Sequence, residues 1–182
     1  MQVRYFRGEV ISSKRRLLSY VLFLVGIMLL TGSVLYYFHT QGPRSEISVG
    51  SVPEMLADLR LVQIITGREA IDSIHQLHGN EFPLDSGAVA VYGNQNVTLW
   101  VSDAGSVSSA MSLIGLMNDR IAEGNSPFIV LGDLDLGGYT VYALEGMGQA
   151  HYYWQAGQLV LWLVADIYVA QQAILEGVEF YR

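Results

Sequence analysis

The sequence predicts an α+β fold: a mostly antiparallel sheet with helices packed on one face, preceded by a single transmembrane helix. Three observations carry this. One long block near the N-terminus contains no charged residue. Beyond it, short runs of β-branched and aromatic residues alternate with glycine-rich turns. Between those runs lie stretches whose apolar residues recur at helical spacing, followed by glycine.

The uncharged block covers residues 17–38, LLSYVLFLVGIMLLTGSVLYYF. At 1.5 Å per residue its helix is about 33 Å long, enough for a hydrocarbon core of roughly 30 Å. Arg4, Arg7, Lys14, Arg15 and Arg16 precede it, and no lysine follows it. The positive-inside rule then places residues 1–16 in the cytoplasm as a basic tail and the C-terminal part outside. Tyr36, Tyr37 and Phe38 close the block as an interfacial aromatic belt. The apolar stretch is longer than a signal-peptide core, and no small-residue cleavage site follows it, so it reads as an uncleaved signal anchor. The expected location is the cell membrane, single-pass, with the lipid bilayer as the partner of residues 17–38.

Residues 39–53 hold Gly42, Pro43, Ser45, Ser48, Gly50 and Ser51 and read as a short stalk. The extracytoplasmic domain is expected over 54–182. Residues 54–65 carry two readings, a helical turn in the first half or a strand, with strand preferred from Val62 on. Thr66-Gly-Arg-Glu69 fits a capping box, and Ala70, Ile71, Ile74 and Leu77 continue as one helical face that Gly79 stops. Residues 88–92 and 97–101 form a hairpin around the turn 93–96. A second helix spans 106–123, with Val107, Ala110, Met111, Ile114, Met117 and Ile121 as its stripe. Strands follow at 139–144, 150–154 and 158–165, joined by turns at Gly146-Met-Gly148 and Gln155-Ala-Gly157. The last of these is almost continuously apolar, which marks a central strand. Asp166 is placed to cap a final helix with Gly177 near its end. The first six elements have the ferredoxin-like order, extended by extra strands and the C-terminal helix.

Two stretches, Arg68-Glu-Ala-Ile-Asp-Ser-Ile-His-Gln-Leu-His-Gly79 and Gly146-Met-Gly-Gln-Ala-His-Tyr-Tyr153 with the strand after it, resemble a family of small prokaryotic membrane-anchored proteins. The resemblance covers roughly residues 66–180. It implies one module there and implies no activity.

Charge and composition narrow the function. Residues 39–182 hold five arginines, no lysine and 16 acids. Such a surface has no basic stripe to neutralise phosphates, so nucleic acid is not expected as a partner. The absence of cysteine excludes disulfides, thiolate metal sites and attached c-type haem. No nucleophile elbow or metalloprotease motif appears, so catalysis has no local support. Asp133 and Asp135 are two apart, a spacing open to acid–base or calcium chemistry but also to a solvated loop.

Two candidate sites remain. His75 and His78 share one helix face, and with His151 they form a possible metal set. Tyr142, Tyr152 and Trp154 belong to an aromatic group on the predicted sheet, a candidate surface for a protein partner. Met147 and His151 carry no haem-attachment motif, and no cofactor is expected. The leading expectation is a membrane-tethered extracytoplasmic interaction or accessory module, a subunit or partner of an envelope complex. The alternative is a metal- or cofactor-binding domain that uses the histidines.

Overall fold

The computed structural model describes residues 28–29, 52–78, 82–124 and 126–182, with residues 77 and 78 by their backbone alone. The chain divides into two compact units, Met1–Arg44 and Ser45–Arg182. In the first unit only Met28 and Leu29 are described, and both are helical. The basic tail, the rest of the apolar block and most of the stalk lie outside the described residues. Among the described residues no helix is long and apolar enough to cross a membrane.

The second unit is an eight-stranded antiparallel sheet with three helices among its described residues. The strands are β1 Met55–Leu56, β2 Leu59–Thr66, β3 Ser86–Tyr92, β4 Val97–Asp103, β5 Ile129–Leu136, β6 Tyr139–Gly146, β7 Gln149–Ala156 and β8 Leu159–Asp166. The helices are α1 Arg68–His78, α2 Val107–Ala122 and α3 Ile167–Phe180. The strand order is β1-β2-β3-β4-β8-β7-β6-β5. The chain lays down β1 to β4, crosses to the far edge through α2, and meanders back until β8 closes against β4. This explains the sequence of β8. It is covered on both faces and has a strand on either side, so both alternating sets of side chains are apolar.

The helices do not share one face, which corrects the expected layout. Directly opposed residues in the sheet point the same way, so Tyr153 and Trp162 face one side while Trp154 and Leu161 face the other. α2 packs on the first side: Ala110 and Ile114 share a core cluster with Leu144, Tyr153 and Val160. α1 joins it there through Ile74, which contacts the position of Gly87. α3 packs on the second side, where Ala173, Ile174 and Val178 bury against Leu99, Leu161, Leu163 and Trp154. The physical reason is the apolarity of β4 and β8 on both faces. One layer of helices would leave half of it in water.

The ferredoxin-like order does not hold either. That unit joins parallel strands through a crossover, whereas β2 and β3 are adjacent and antiparallel. Gly67 N–H donates to Gly87 O at 3.1 Å, so the excursion through α1 leaves and rejoins the sheet at one point. The capping box at Thr66 is also displaced. Thr66 is the last residue of β2, paired with Ala88, and the first helical hydrogen bond runs from Ile71 N to Gly67 O. Asp166 sits at the N-cap of α3, but its carboxylate does not cap. It accepts from Asn96 Nδ2 at 2.9 Å and Gln149 Nε2 at 3.2 Å, and these bonds hold its pKa below the usual carboxylate value.

The segment before β2 forms a strand and a tight turn instead of a helical turn. Ala57 and Asp58 take left-handed φ angles of 53° and 60° between Leu56 and Leu59, a geometry that costs a non-glycine residue about 1–2 kcal/mol. α3 supports this turn. Glu176 accepts from Ala57 N at 2.6 Å, and Gln172 Nε2 donates to Asp58 at 3.1 Å. Tyr92 donates from its buried hydroxyl to Pro53 O at 2.9 Å and ties the same segment to β3. Gly177, read from sequence as near the helix end, is interior to α3. A Cβ there would lie 3.4 Å from Leu163 and 3.6 Å from Trp154, so the missing side chain lets the helix settle on the Trp154 ring.

Trp154 is therefore a keystone of the second face. Trp154→Ala is expected to lower the unfolding free energy by about 3–5 kcal/mol. Tyr142→Ala, at a half-buried position, is expected to cost roughly 1–2 kcal/mol. Urea denaturation of the full chain in detergent, followed by the fluorescence of Trp100 and Trp162, checks both.

Candidate functional site

Among the described residues a broad cleft lies on the first face, between α1 and α2. The sheet forms its floor with Trp100 and Ser102 of β4, His151 of β7, and Val160, Trp162 and Val164 of β8. Ile74 and Phe82 make one wall, and Leu113, Met117 and Ile121 of α2 make the other. Phe128 and Met147 close the end near the β6–β7 turn. The cleft encloses about 950 Å³. That volume is at the upper end of what ligand sites usually occupy, roughly 300–1,000 Å³.

Cross-strand register builds the floor. Tyr142 opposes Tyr153, Tyr153 opposes Trp162, and Trp162 opposes Trp100. The first three rings stack, with centroids 4.8 Å and 5.2 Å apart and planes within 15° and 9°. Tyr153 donates its hydroxyl to Asn118 Oδ1 at 2.6 Å, which ties this row to α2. Burial, with repulsion from Tyr142, pushes the Tyr153 phenol up to about 12. Ser106 caps α2 by accepting from Ser109 N at 3.1 Å, so the helix begins where the sequence places it. Just ahead of it, buried Asp103 accepts from Gly105 N at 2.9 Å and from Gln158 Nε2 at 3.0 Å, which fixes the exit from β4.

His151 stands one row further along and is 2% exposed. The Phe128 ring lies over it at 4.7 Å, and Trp162 flanks it at 5.9 Å. Phe128 can approach because residue 146 is glycine: a Cβ there would be 2.5 Å from the Phe128 ring. His151 Nε2 is 3.1 Å from Gly146 O. A carbonyl only accepts, so Nε2 carries the proton and Nδ1 keeps its lone pair. Among the described residues that lone pair has no hydrogen-bond partner, and neither does the indole N–H of Trp100. A buried polar atom without a partner costs about 1–3 kcal/mol. The floor thus holds one acceptor and one donor in apolar surroundings.

Of the expected metal set, the side chains of His75 and His151 are described. His75 lies on α1, bonds Phe82 O through Nε2 at 2.9 Å, and meets the Phe82 ring edge-on at 5.1 Å. It ties Phe82 to α1. The side chain of His78 lies outside the described residues. Among the described residues no three His, Asp or Glu side chains converge to hold a metal ion. The aromatic candidates also part. Tyr142 is half-buried on the cleft side, whereas Tyr152 and Trp154 face α3. Tyr152 is half-buried, and Trp154 is completely buried and so belongs to the core, not to a surface. The turn expected over Gly146-Met-Gly148 is the two residues Met147 and Gly148, both with positive φ, while Gly146 ends β6, and Met147 stands exposed beside the cleft. Phe128 and Trp100 were not singled out in the sequence. An apolar run starting at Phe128 and the pairing of two tryptophans across β4 and β8 were the available signals.

Burial lowers the pKa of His151, opposed by its bond to Gly146, so the folded domain keeps the ring neutral. The unfolded chain takes up a proton that the folded one refuses. The stability linked to His151 is therefore complete above the unfolded value of about 6.5 and declines as pH falls below it. The urea midpoint of the full chain is expected to fall between about pH 7 and pH 5, and to fall less in His151→Gln. No protein-family model, curated protein or solved structure matches this chain, so the resemblance noted for residues 66–180 gains no support from those comparisons.

Proposed function

We propose that the chain is a membrane-tethered extracytoplasmic binding module whose ligand site is the cleft between α1 and α2. The ligand has an apolar body and a small uncharged polar head, such as an alcohol, an amide or a protonated acid. The observation that carries this reading is the pair of unpartnered polar atoms, Trp100 Nε1 and His151 Nδ1, in the floor of a large apolar cleft. A polar head group that enters the cleft finds an acceptor at His151 Nδ1 and a donor at Trp100 Nε1. A charged head is disfavoured at the floor, because desolvating it there costs more than a neutral hydrogen bond returns, and the charged lining residues Arg120 and Glu123 are exposed. Both atoms are covered by neighbouring side chains. Phe128, which lies over His151, is the ring that turns aside when the ligand enters.

Several features support binding over catalysis. The imidazole is neutral and shielded, and the one carboxylate lining the cleft, Glu123, is exposed at the end of α2 and not in the floor. The tether rests on the uncharged block at 17–38 and on the five basic residues that precede it. A chain anchored in a bilayer meets amphipathic alcohols and amides at high local concentration. The role that fits these features is accessory: presenting or sensing such a molecule for an envelope complex.

Fluorescence quenching tests the reading. Trp100 and Trp162 line the cleft, and Trp154, the remaining tryptophan, is on the other face. A long-chain alcohol bearing bromine is expected to quench part of the emission of the full chain in lipid nanodiscs, and to do so saturably. Filling the floor with Val164→Phe is expected to weaken binding at least roughly ten-fold. His151→Phe, which removes the acceptor, is expected to weaken the alcohol about five- to ten-fold and to leave the corresponding bromoalkane unaffected. Quenching that never saturates, or that ignores Val164→Phe, would remove the cleft as the site.

A further inference from the structure

The sheet has two edges, and they are treated differently. β1, at one edge, is two residues long, and its turn is docked on α3. Short, covered edges of this kind prevent unwanted strand pairing. β5, at the other edge, is eight residues long and among the described residues pairs on one side only, with β6. Ile129, Val130 and Leu131 are 67%, 60% and 61% exposed, and the strand contains neither lysine nor proline.

The β5–β6 turn fixes which main-chain groups are free. Gly137 and Gly138 both have positive φ, and Leu136 opposes Tyr139, so this is a two-residue hairpin turn of the type that matches strand twist. In such a hairpin the flanking pair exchanges both hydrogen bonds, and the pattern alternates along the ladder. The amide and carbonyl groups of Asp135 and Asp133 consequently point away from β6. Their carboxylates share the cleft-side face, because Asp133 opposes Tyr142. Free main-chain donors and acceptors, an exposed apolar run and two carboxylates thus lie along one edge.

We propose that β5 is a docking edge for an extended basic segment of a partner protein. The segment adds a strand antiparallel to β5. It places Lys or Arg opposite Asp135 and Asp133, and an apolar residue beside Ile129–Leu131. Read from its N-terminus, it runs basic, any, basic, any, apolar. Main-chain hydrogen bonds hold it, and the alternate side chains select it. Charge decides the occupant. Residues 39–182 carry 16 acids against five arginines and no lysine, so a second copy of this domain brings like charge, whereas a basic strand brings the opposite. Directly opposed residues place their Cβ atoms about 4.5–5.5 Å apart, within reach of a cross-strand ion pair.

The test uses the full chain in lipid nanodiscs and fluorescent peptides of about ten residues carrying Lys-Thr-Lys-Thr-Ile-Thr-Val. One control replaces both lysines with glutamate, and another methylates the main-chain nitrogens of the two lysines. The lysine peptide is expected to bind at least roughly ten-fold tighter than either control. Asp133→Asn with Asp135→Asn is expected to bring the lysine and glutamate peptides within about three-fold of each other. Both side chains are exposed, and asparagine keeps the Oδ1 with which Asp135 accepts from Gly138 N at 3.2 Å, so the variant keeps its fold, which circular dichroism verifies. Amide hydrogen exchange at Asp133 and Asp135 is expected to slow when the lysine peptide binds. Equal affinity for the charged peptides, indifference to methylation, or no binding overturns the proposal. So does concentration-dependent self-association that Val130→Lys abolishes, which would assign the edge to a second copy.

Discussion

The seven-residue register between β4 and β8 joins the two halves of the sheet, and the rest of the domain is arranged around it. Val97, Leu99 and Val101 continue into Leu161, Leu163 and Ala165 on one face, and Trp100 meets Trp162 on the other. Both faces of this pair are apolar, so both need cover, and the connections are forced to supply it. α2 carries the chain over one face on its way to the far edge. α3, directly after β8, folds back over the other. The glycine at 177 and the supported turn at Ala57–Asp58 are local adjustments that let the second cover sit closely.

The legible parts of the fold were those with strong periodicity. The hairpin through 93–96, the helix capped by Ser106 and the central character of β8 follow from alternation, capping chemistry and unbroken apolarity. β5 was not legible as a strand, because Gly132, Asp133 and Asp135 interrupt its apolar run, and an edge strand needs no second buried face. β1 was hidden by its length and by a turn built from alanine and aspartate where glycine or asparagine is usual. The placement of helices on one face failed because alternation shows that a strand has two apolar faces without showing which later element covers each.

The site was legible only in fragments. His151 stood out as a histidine, yet its importance comes from Gly146, Phe128 and Trp162, which surround it from two strands and the loop before β5. Spacing along α1 put His75 and His78 on one face, and the described geometry gives His75 Nε2 a carbonyl partner that spacing could not show. The aromatic group was visible as composition. Register then sorts it: Tyr142, Tyr153 and Trp162 stack beside the cleft, while Trp154 becomes core. A sequence records that aromatic residues alternate, whereas which of them meet depends on pairing between distant strands.

The position of β8 has a consequence for how the domain is made. A chain synthesised from its N-terminus completes β4 and then β7 while the strand that belongs between them is still missing. Until residues 159–166 emerge, the nascent sheet consists of two pieces, each with an open apolar edge at what will become the centre. Local pairing cannot close that gap, because the contact joins segments about sixty residues apart, and such contacts form slowly. The interval of greatest exposure therefore falls just before residues 159–166 emerge. Insertion of β8 is the step that turns two adhesive hairpin sheets into one covered domain.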